Sequence, residues 1–253
     1  MNKNKFSKIS TIFDFVELSM LVPTLDQSSL VLFDVDDVLI MEHDEYRITH
    51  PYRRELLLER KKRLTKAQRN LLHSIILKDR TVRLVDSEII NILNKLEEME
   101  IPTAALTKLY TGQSGVIEDF TSWRLEELKN INIDFMKSSP IKEEIFIEEL
   151  HIGCGIPIIK EGVILTADVD KGSVLESILH KAKYYPKAII FIDDILENLE
   201  SVQKICDKLQ INFHGFEFKG ASLIPEAELD QESEKIRFEI LEKELRWISN
   251  LKL

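Results

Sequence analysis

The stretch VLFDVDDVLI, residues 31–40, sets Asp34, Asp36 and Asp37 within four positions, directly behind an apolar run. Ionised carboxylates this close repel one another, and burying them without partners is costly. Two readings account for the crowding. Either a strand ends here in a solvated acidic turn, or a cation is shared among the carboxylates. A calcium loop of the EF-hand type is excluded. With Asp34 as position 1, Asp36 and Glu45 fall at positions 3 and 12, but position 5 is Val38 and position 6 is Leu39, where glycine is needed. A second acidic pair, Asp193–Asp194, closes the apolar segment AIIFIDD, and Thr107 closes IPTAALT.

The elements that must position these groups alternate along the chain. Short apolar runs at residues 30–33, 101–108 and 188–194 read as strands, and so do INIDF and INFHGF. IPIIKEGVILTA reads as a hairpin turning at residues 160–162. Helical spacing covers residues 11–22, 85–99, 115–129, 173–183 and 196–209. One long stretch, 52–77, puts Leu64, Ala67, Leu71, Leu72, Ile75 and Ile76 on a single face. Phe238, Leu241, Leu245 and Ile248 mark a C-terminal helix expected to dock on the body. Strand–helix alternation predicts an α/β fold, a three-layer α/β/α core with a parallel sheet. Ligands of such sheets gather at the carboxyl ends of the strands. Asp34, Thr107, Asp193 and Asp194 each fall where a strand run stops, so all four are expected on one rim.

A chain of 253 residues with 44% hydrophobic content can bury a full core, as one large domain or as a domain with an insertion. The formal charge of −10 argues against a general nucleic-acid binder. No apolar run approaches the ~20 residues needed to span a bilayer. Asp14 and Glu17 interrupt the apolar part of the N-terminal stretch, so no signal peptide is expected and the location expected is cytoplasmic. Cys154 and Cys206 form no metal-type pair and read as reduced, buried thiols; His151 beside Cys154 does not complete a zinc site. A basic island stands out at residues 53–69, where Arg53, Arg54, Arg60, Lys61, Lys62, Arg63, Lys66 and Arg69 face only Glu55 and Glu59. It is either an anion-attracting patch or a solvated helix face.

Taken together, these segments resemble the haloacid dehalogenase (HAD) superfamily of phosphohydrolases and phosphotransferases. VLFDVDDVL fits the first motif, hhhDxDx[TV], with Asp34, Asp36 and Val38. Thr107 in AALTK fits the second, Lys171 in DVDKGSVLESIL the third, and Asp193 with Asp194 in IIFIDDILENL the fourth. The order distinguishes the chain from two-component receiver domains, whose acidic pair lies on the first strand. FMKSSP, GVILT, DKG and the acidic tail also resemble an uncharacterised bacterial subgroup of the superfamily.

The resemblance implies a Rossmannoid core at residues 1–40 and 83–253, with the N- and C-terminal helices docked on it. It also implies a small helical cap at residues 41–82, beginning with a flap near MEHDEYRI. The activity implied is Mg²⁺-dependent hydrolysis of a phosphomonoester, a small molecule or a phosphopeptide, with neither a nucleic-acid nor a membrane partner. Asp34 would be the nucleophile that forms an aspartyl-phosphate, Asp36 the general acid and base, Thr107 a hydrogen-bond donor to the phosphoryl group, and Lys171 its counter-charge. Asp34, the backbone carbonyl of Asp36, Asp193 and Asp194 would hold the metal. Asp37 carries no role and reads as a turn residue. Departures from the pattern are Lys108, where Asn is common, and Glu197 with Asn198, where a further acid is usual; Lys160 is a rival for the third motif. Phosphotransfer to an acceptor hydroxyl and a binding protein with a weakened HAD core are the alternatives.

Overall fold

The runs SLVLF and TAALT are buried along their whole lengths, as strands covered on both faces must be. The computed structural model of the protein describes residues 6–44, 50–153, 155–225 and 228–249. Cys154 and residues 45–48 of the expected flap lie outside them. In chain order the elements are β1 (Ser7–Ile12), α1 (Val16–Leu21), β2 (Ser29–Phe33), β3 (Ile40–Glu42), α2 (Pro51–Arg63), α3 (Lys66–Asp79), β4 (Val82–Leu84), α4 (Glu88–Glu98) and β5 (Thr103–Thr107). They continue with α5 (Phe120–Lys129), β6 (Ile145–Phe146), β7 (Ile158–Lys160), β8 (Val163–Leu165), α6 (Lys171–Ala182), β9 (Ala188–Asp193), α7 (Leu196–Leu209), β10 (Asn212–Phe218) and α8 (Gln231–Glu244).

Eight strands form one sheet in the order β1-β10-β9-β2-β5-β8-β7-β6. The pairings from β1 through β8 are parallel, and β7 and β6 extend the sheet antiparallel. The fold is therefore a mostly parallel, Rossmann-like α/β architecture. From β2 the chain moves outward through β5 to the edge strand β6, comes back through β7 and β8, crosses to β9 on the other side of β2, and continues to β10. Strand order thus reverses between β2 and β9, which is where open α/β sheets bind ligands. Val174, Leu175, Ile178 and Leu179 of α6 pack with Leu199, Val202 and Cys206 of α7 over Leu30, Leu32, Phe191 and Phe213 of the sheet. No helix among the described residues is long and apolar enough to cross a membrane.

The chain divides into two compact units. The first comprises Met1–Met41, Leu84–Thr111 and Thr121–Leu223, and holds the eight-stranded sheet. The second comprises Glu42–Arg83, Gly112–Phe120 and Ile224–Leu253. It takes in more than the expected insertion at 41–82. Ile75 and Ile76 of α3 and Leu56 of α2 share a core with Phe238, Leu241 and Trp247, so α8 packs on the inserted helices instead of the core helices. Gly115 joins this unit through a close approach to Ser74: a Cβ there would stand 1.9 Å from the Ser74 hydroxyl, which accepts a 2.9 Å bond from the Val116 amide.

Three further expectations differ from the structure. Residues 7–12 form an edge strand on β10, where helical spacing was read from residue 11. SKISTI carries little apolar signal, because half-exposed edge strands are held mainly by their backbone ladder. INIDF is a turn, with Asn132 at φ 63°. Its alternation arises because Ile133 and Phe135 insert into the core. The long helix at 52–77 breaks at Leu64, which is extended. Thr65 then caps α3 through a reciprocal capping box with Gln68.

Candidate active site

Asp34 immediately follows β2, and Asp193 ends the adjacent β9. The register pairs Phe33 with Ile192, and the Asp34 amide donates to the Ile192 carbonyl at 2.8 Å. Two carboxylates are thereby placed side by side at the reversal of strand order. Lys171 stands between them, 1% exposed, its ammonium 2.8 Å from Asp34 Oδ1 and 2.7 Å from Asp193 Oδ2.

The first turn of α6 aims this lysine. Asp170 caps the helix by accepting from the Ser173 amide at 2.9 Å. Ser201 of α7 donates to the same Asp170 oxygen at 2.7 Å and accepts from the Gly172 amide at 2.9 Å. A Cβ on Gly172 would meet the Ser201 carbonyl oxygen at 2.4 Å, so only glycine lets α6 come this close to α7.

Asp193 accepts from protein donors on both oxygens. Asn198 reaches both of its oxygens, at 2.9 and 3.2 Å, and the Ile195 amide donates to Oδ1 at 2.9 Å. Asp34 differs: Lys171 and the Val35 amide, at 2.7 Å, both fall on Oδ1, and no hydrogen bond from the described residues falls on Oδ2. Asp34, Asp193 and Asp194 each present an oxygen, and these three atoms lie within 4.8 Å of one another.

Three carboxylates facing one ammonium leave this corner electrostatically short of positive charge. Burial, and then the neighbouring charges of Asp193 and Asp194, push the Asp34 carboxyl well above its ordinary value, with Lys171 opposing. Burial likewise raises Asp194 to about 7, aided by Asp193 and Asp37. For Lys171 burial disfavours the ammonium, but attraction to Asp34 and Asp193 outweighs it and the net shift is upward. Such a donor set, all hard oxygens with uncompensated negative charge, can hold a metal ion.

Thr107, buried, ends β5 on the other side of β2, and its carbonyl accepts from the Thr166 amide at 3.0 Å. Asp37 adopts a left-handed φ of 61°, in line with its reading as a turn residue. Lys160 pairs with Glu144 on the β7–β8 hairpin, Lys108 and Glu197 are exposed, and Cys206 is buried in the core. Asp36 has a side chain 45% exposed and is turned to a partner absent from the motif: both its oxygens accept from Arg124, at 2.7 and 3.3 Å.

A family model described as "Protein of unknown function (DUF2608)" matches residues 7–252. The chain belongs to this family. An uncharacterised protein of Rickettsia prowazekii (strain Madrid E) is 23% identical over 217 residues, covering 84% of this chain and 77% of that protein. One from Rickettsia felis is 29% identical over 122 residues, which are 47% of this chain and 42% of that protein. A protein titled putative outer membrane protein, from Chlamydia pneumoniae, is 24% identical over 57% of this chain and 50% of its own length. The chain thus spans about half the length of the latter two. Among solved structures, a haloacid dehalogenase-like family hydrolase from Streptococcus pneumoniae aligns with a TM-score of 0.39 at 13% identity, over 74% of this chain and 92% of that one.

Two residues at the site of this DUF2608 family member, Asn198 and Arg124, stand outside the sequence motif positions. Asn198 donates its amide to both Asp193 oxygens, which an ionised carboxylate at that position could not do. Arg124 had a legible signal. Phe120, Thr121, Leu125 and Leu128 are the buried stripe of α5, and Arg124 falls within that stripe, where a charge requires a partner.

Proposed function

We propose that the protein is a Mg²⁺-dependent phosphatase that hydrolyses a phosphomonoester through an aspartyl-phosphate on Asp34. The observation that carries this reading is the buried Lys171 bridging Asp34 and Asp193 at the reversal of strand order, with Oδ2 of Asp34 left for a reacting group. Mg²⁺ held by Asp34, Asp194, Asp193 and, by the resemblance, the Asp36 carbonyl would neutralise the charge of the phosphoryl group and orient it.

The chain's own residues supply the rest. Oδ2 of Asp34 attacks phosphorus and the bond to the ester oxygen breaks; that oxygen takes a proton from Asp36. Water, giving a proton to Asp36, then attacks phosphorus and the bond to Asp34 breaks, releasing inorganic phosphate and restoring both carboxyl groups. Lys171 fixes the Asp34 carboxylate through Oδ1 and offsets phosphoryl charge, and the Thr107 hydroxyl donates to a phosphoryl oxygen. Asn198 holds Asp193, and Asp193 in turn holds Lys171.

The test is hydrolysis of p-nitrophenyl phosphate followed by a panel of phosphorylated metabolites and phosphopeptides, with Mg²⁺ and with chelator. Turnover that needs Mg²⁺, and that Asp34→Asn abolishes together with a base-labile phosphoryl adduct, is expected. Full activity in chelator, or a covalent phosphate on another residue, would sink the reading. Transfer to added alcohols in preference to water would reassign the protein as a phosphotransferase.

A further inference from the structure

Arg124 is the most thoroughly buried cation beside the site that the proposed mechanism leaves unused. α5 delivers its guanidinium, 1% exposed, to the Asp36 carboxylate, which takes one bond on each oxygen. Glu127, one turn further along the helix, accepts from the same Nη1 at 2.7 Å, and the guanidinium carbon lies 5.2 Å from the centre of the Trp123 ring. Among the described residues the Nε proton has no acceptor. A buried N–H without a partner costs about 1–3 kcal/mol. The arginine is therefore set for its two carboxylates and not for its own full satisfaction.

The other partner explains the direction of the constraint. Asp36 lies in the turn after β2, where the Leu39 and Ile40 amides both return to the Val35 carbonyl, and its side chain is nearly half exposed. An aspartate in such a turn has several rotamers open to it. A planar, bidentate guanidinium restricts that freedom. We infer that Arg124 is a positioning residue: it holds Asp36 in one orientation so that its carboxylate can take the proton of the water that hydrolyses the aspartyl-phosphate. This inference rests on the proposed phosphatase reading, and it predicts which of the two chemical steps depends on Arg124.

The experiment compares wild type, Arg124→Met, Arg124→Lys, Asp36→Asn and the Arg124→Met/Asp36→Asn double variant on p-nitrophenyl phosphate with Mg²⁺. Arg124→Met should lower kcat roughly 10- to 100-fold, the scale of a misplaced catalytic group, with KM little changed. It should also show a burst, because the aspartyl-phosphate forms and is not cleared. Arg124→Lys should recover part of the rate. In the Asp36→Asn background Arg124→Met should add no further loss. A loss that multiplies in the double variant, or one without a burst, overturns the inference. A readout independent of turnover accompanies these: the ¹³C carboxyl resonance of Asp36 at one fixed pH, expected sharp in wild type and exchange-broadened in Arg124→Met. An unchanged line also overturns the inference. Should wild type hydrolyse no phosphate ester, the phosphatase reading falls, and this resonance still decides whether Arg124 orders Asp36.

Discussion

Nζ of Lys171 lies 2.8 Å from Oδ1 of Asp34, both groups buried, in a corner that also holds the carboxylates of Asp193 and Asp194. Among the described residues Lys171 is the ammonium that pairs with the Asp34 and Asp193 carboxylates, so its removal should be felt before any chemistry begins. Lys171→Met should destabilise the metal-free protein by about 3–5 kcal/mol at neutral pH, the cost of stranding a buried charge. Mg²⁺ should return part of it. Urea unfolding with chelator and with Mg²⁺ measures both, and a neutral substitution would show that the pair is not a structural element of the site.

The raised carboxyls predict a pH signature. Asp194 sits at about 7 in the folded protein against an ordinary 3.8, with burial the main cause. Between those values the native state keeps a proton that the unfolded chain has released, so this group makes stability fall as pH rises through that window. Asp34 is shifted in the same direction. A bound cation favours the ionised forms and should reverse the trend. The gain in Tm from Mg²⁺ should therefore be larger at pH 8 than at pH 5; an equal gain at both would place the metal elsewhere.

Asp36 and Asp37 are near twins in sequence and opposites in the structure. Asp36→Asn should cost about 10²–10⁴ in rate, most for poor leaving groups such as alkyl phosphates. Asp37 has φ 61°, a conformation open to glycine and strained for β-branched residues. Asp37→Gly should keep activity and stability, whereas Asp37→Val should lower stability by about 1–2 kcal/mol. Steady-state kinetics and unfolding on the same samples separate the two roles.

The basic island resolves into two parts within the second unit. Arg53 is buried against Glu234 and Asp44, and Arg60 and Arg63 both pair with Glu242. Arg237 pairs with the same Glu234 and with Asp44, and lies 4.2 Å from the centre of the Trp247 ring. These arginines join α2 to α8. Glu234→Gln should cost about 3–5 kcal/mol of stability, since it leaves two buried guanidinium groups sharing the charge of Asp44.

Arg54, Lys61, Lys62 and Lys66 remain exposed. Reversing Arg54, Lys61 and Lys62 to Glu, while sparing Arg60, gives a folded test of anion recruitment. A salt-sensitive loss of kcat/KM for a large anionic substrate is expected if the patch recruits one. Identical kinetics at low salt would assign it to solvation alone.

Strand ends were legible in the sequence because a buried parallel strand is an unbroken apolar run, and the residue that stops it stands out. Asp34, Thr107 and Asp193 were found that way, and β2, β5 and β9 fall where the runs predict. Lys171 was legible only through the resemblance, since one lysine at a helix start has no local signature. Three things were decided by tertiary structure. β1 forms because β10 offers a ladder, not because SKISTI has a strong pattern. α8 belongs with the inserted helices because Glu234, Glu242 and Phe238 find Arg53, Arg60 and Leu56 there, partners far away in the chain. Asp36 is held by Arg124 because α5 returns to the rim beside β2, a meeting that no spacing of residues encodes. Periodicity records which face of an element is buried; it does not record which charge a buried group will meet, and that depends on how distant elements pack.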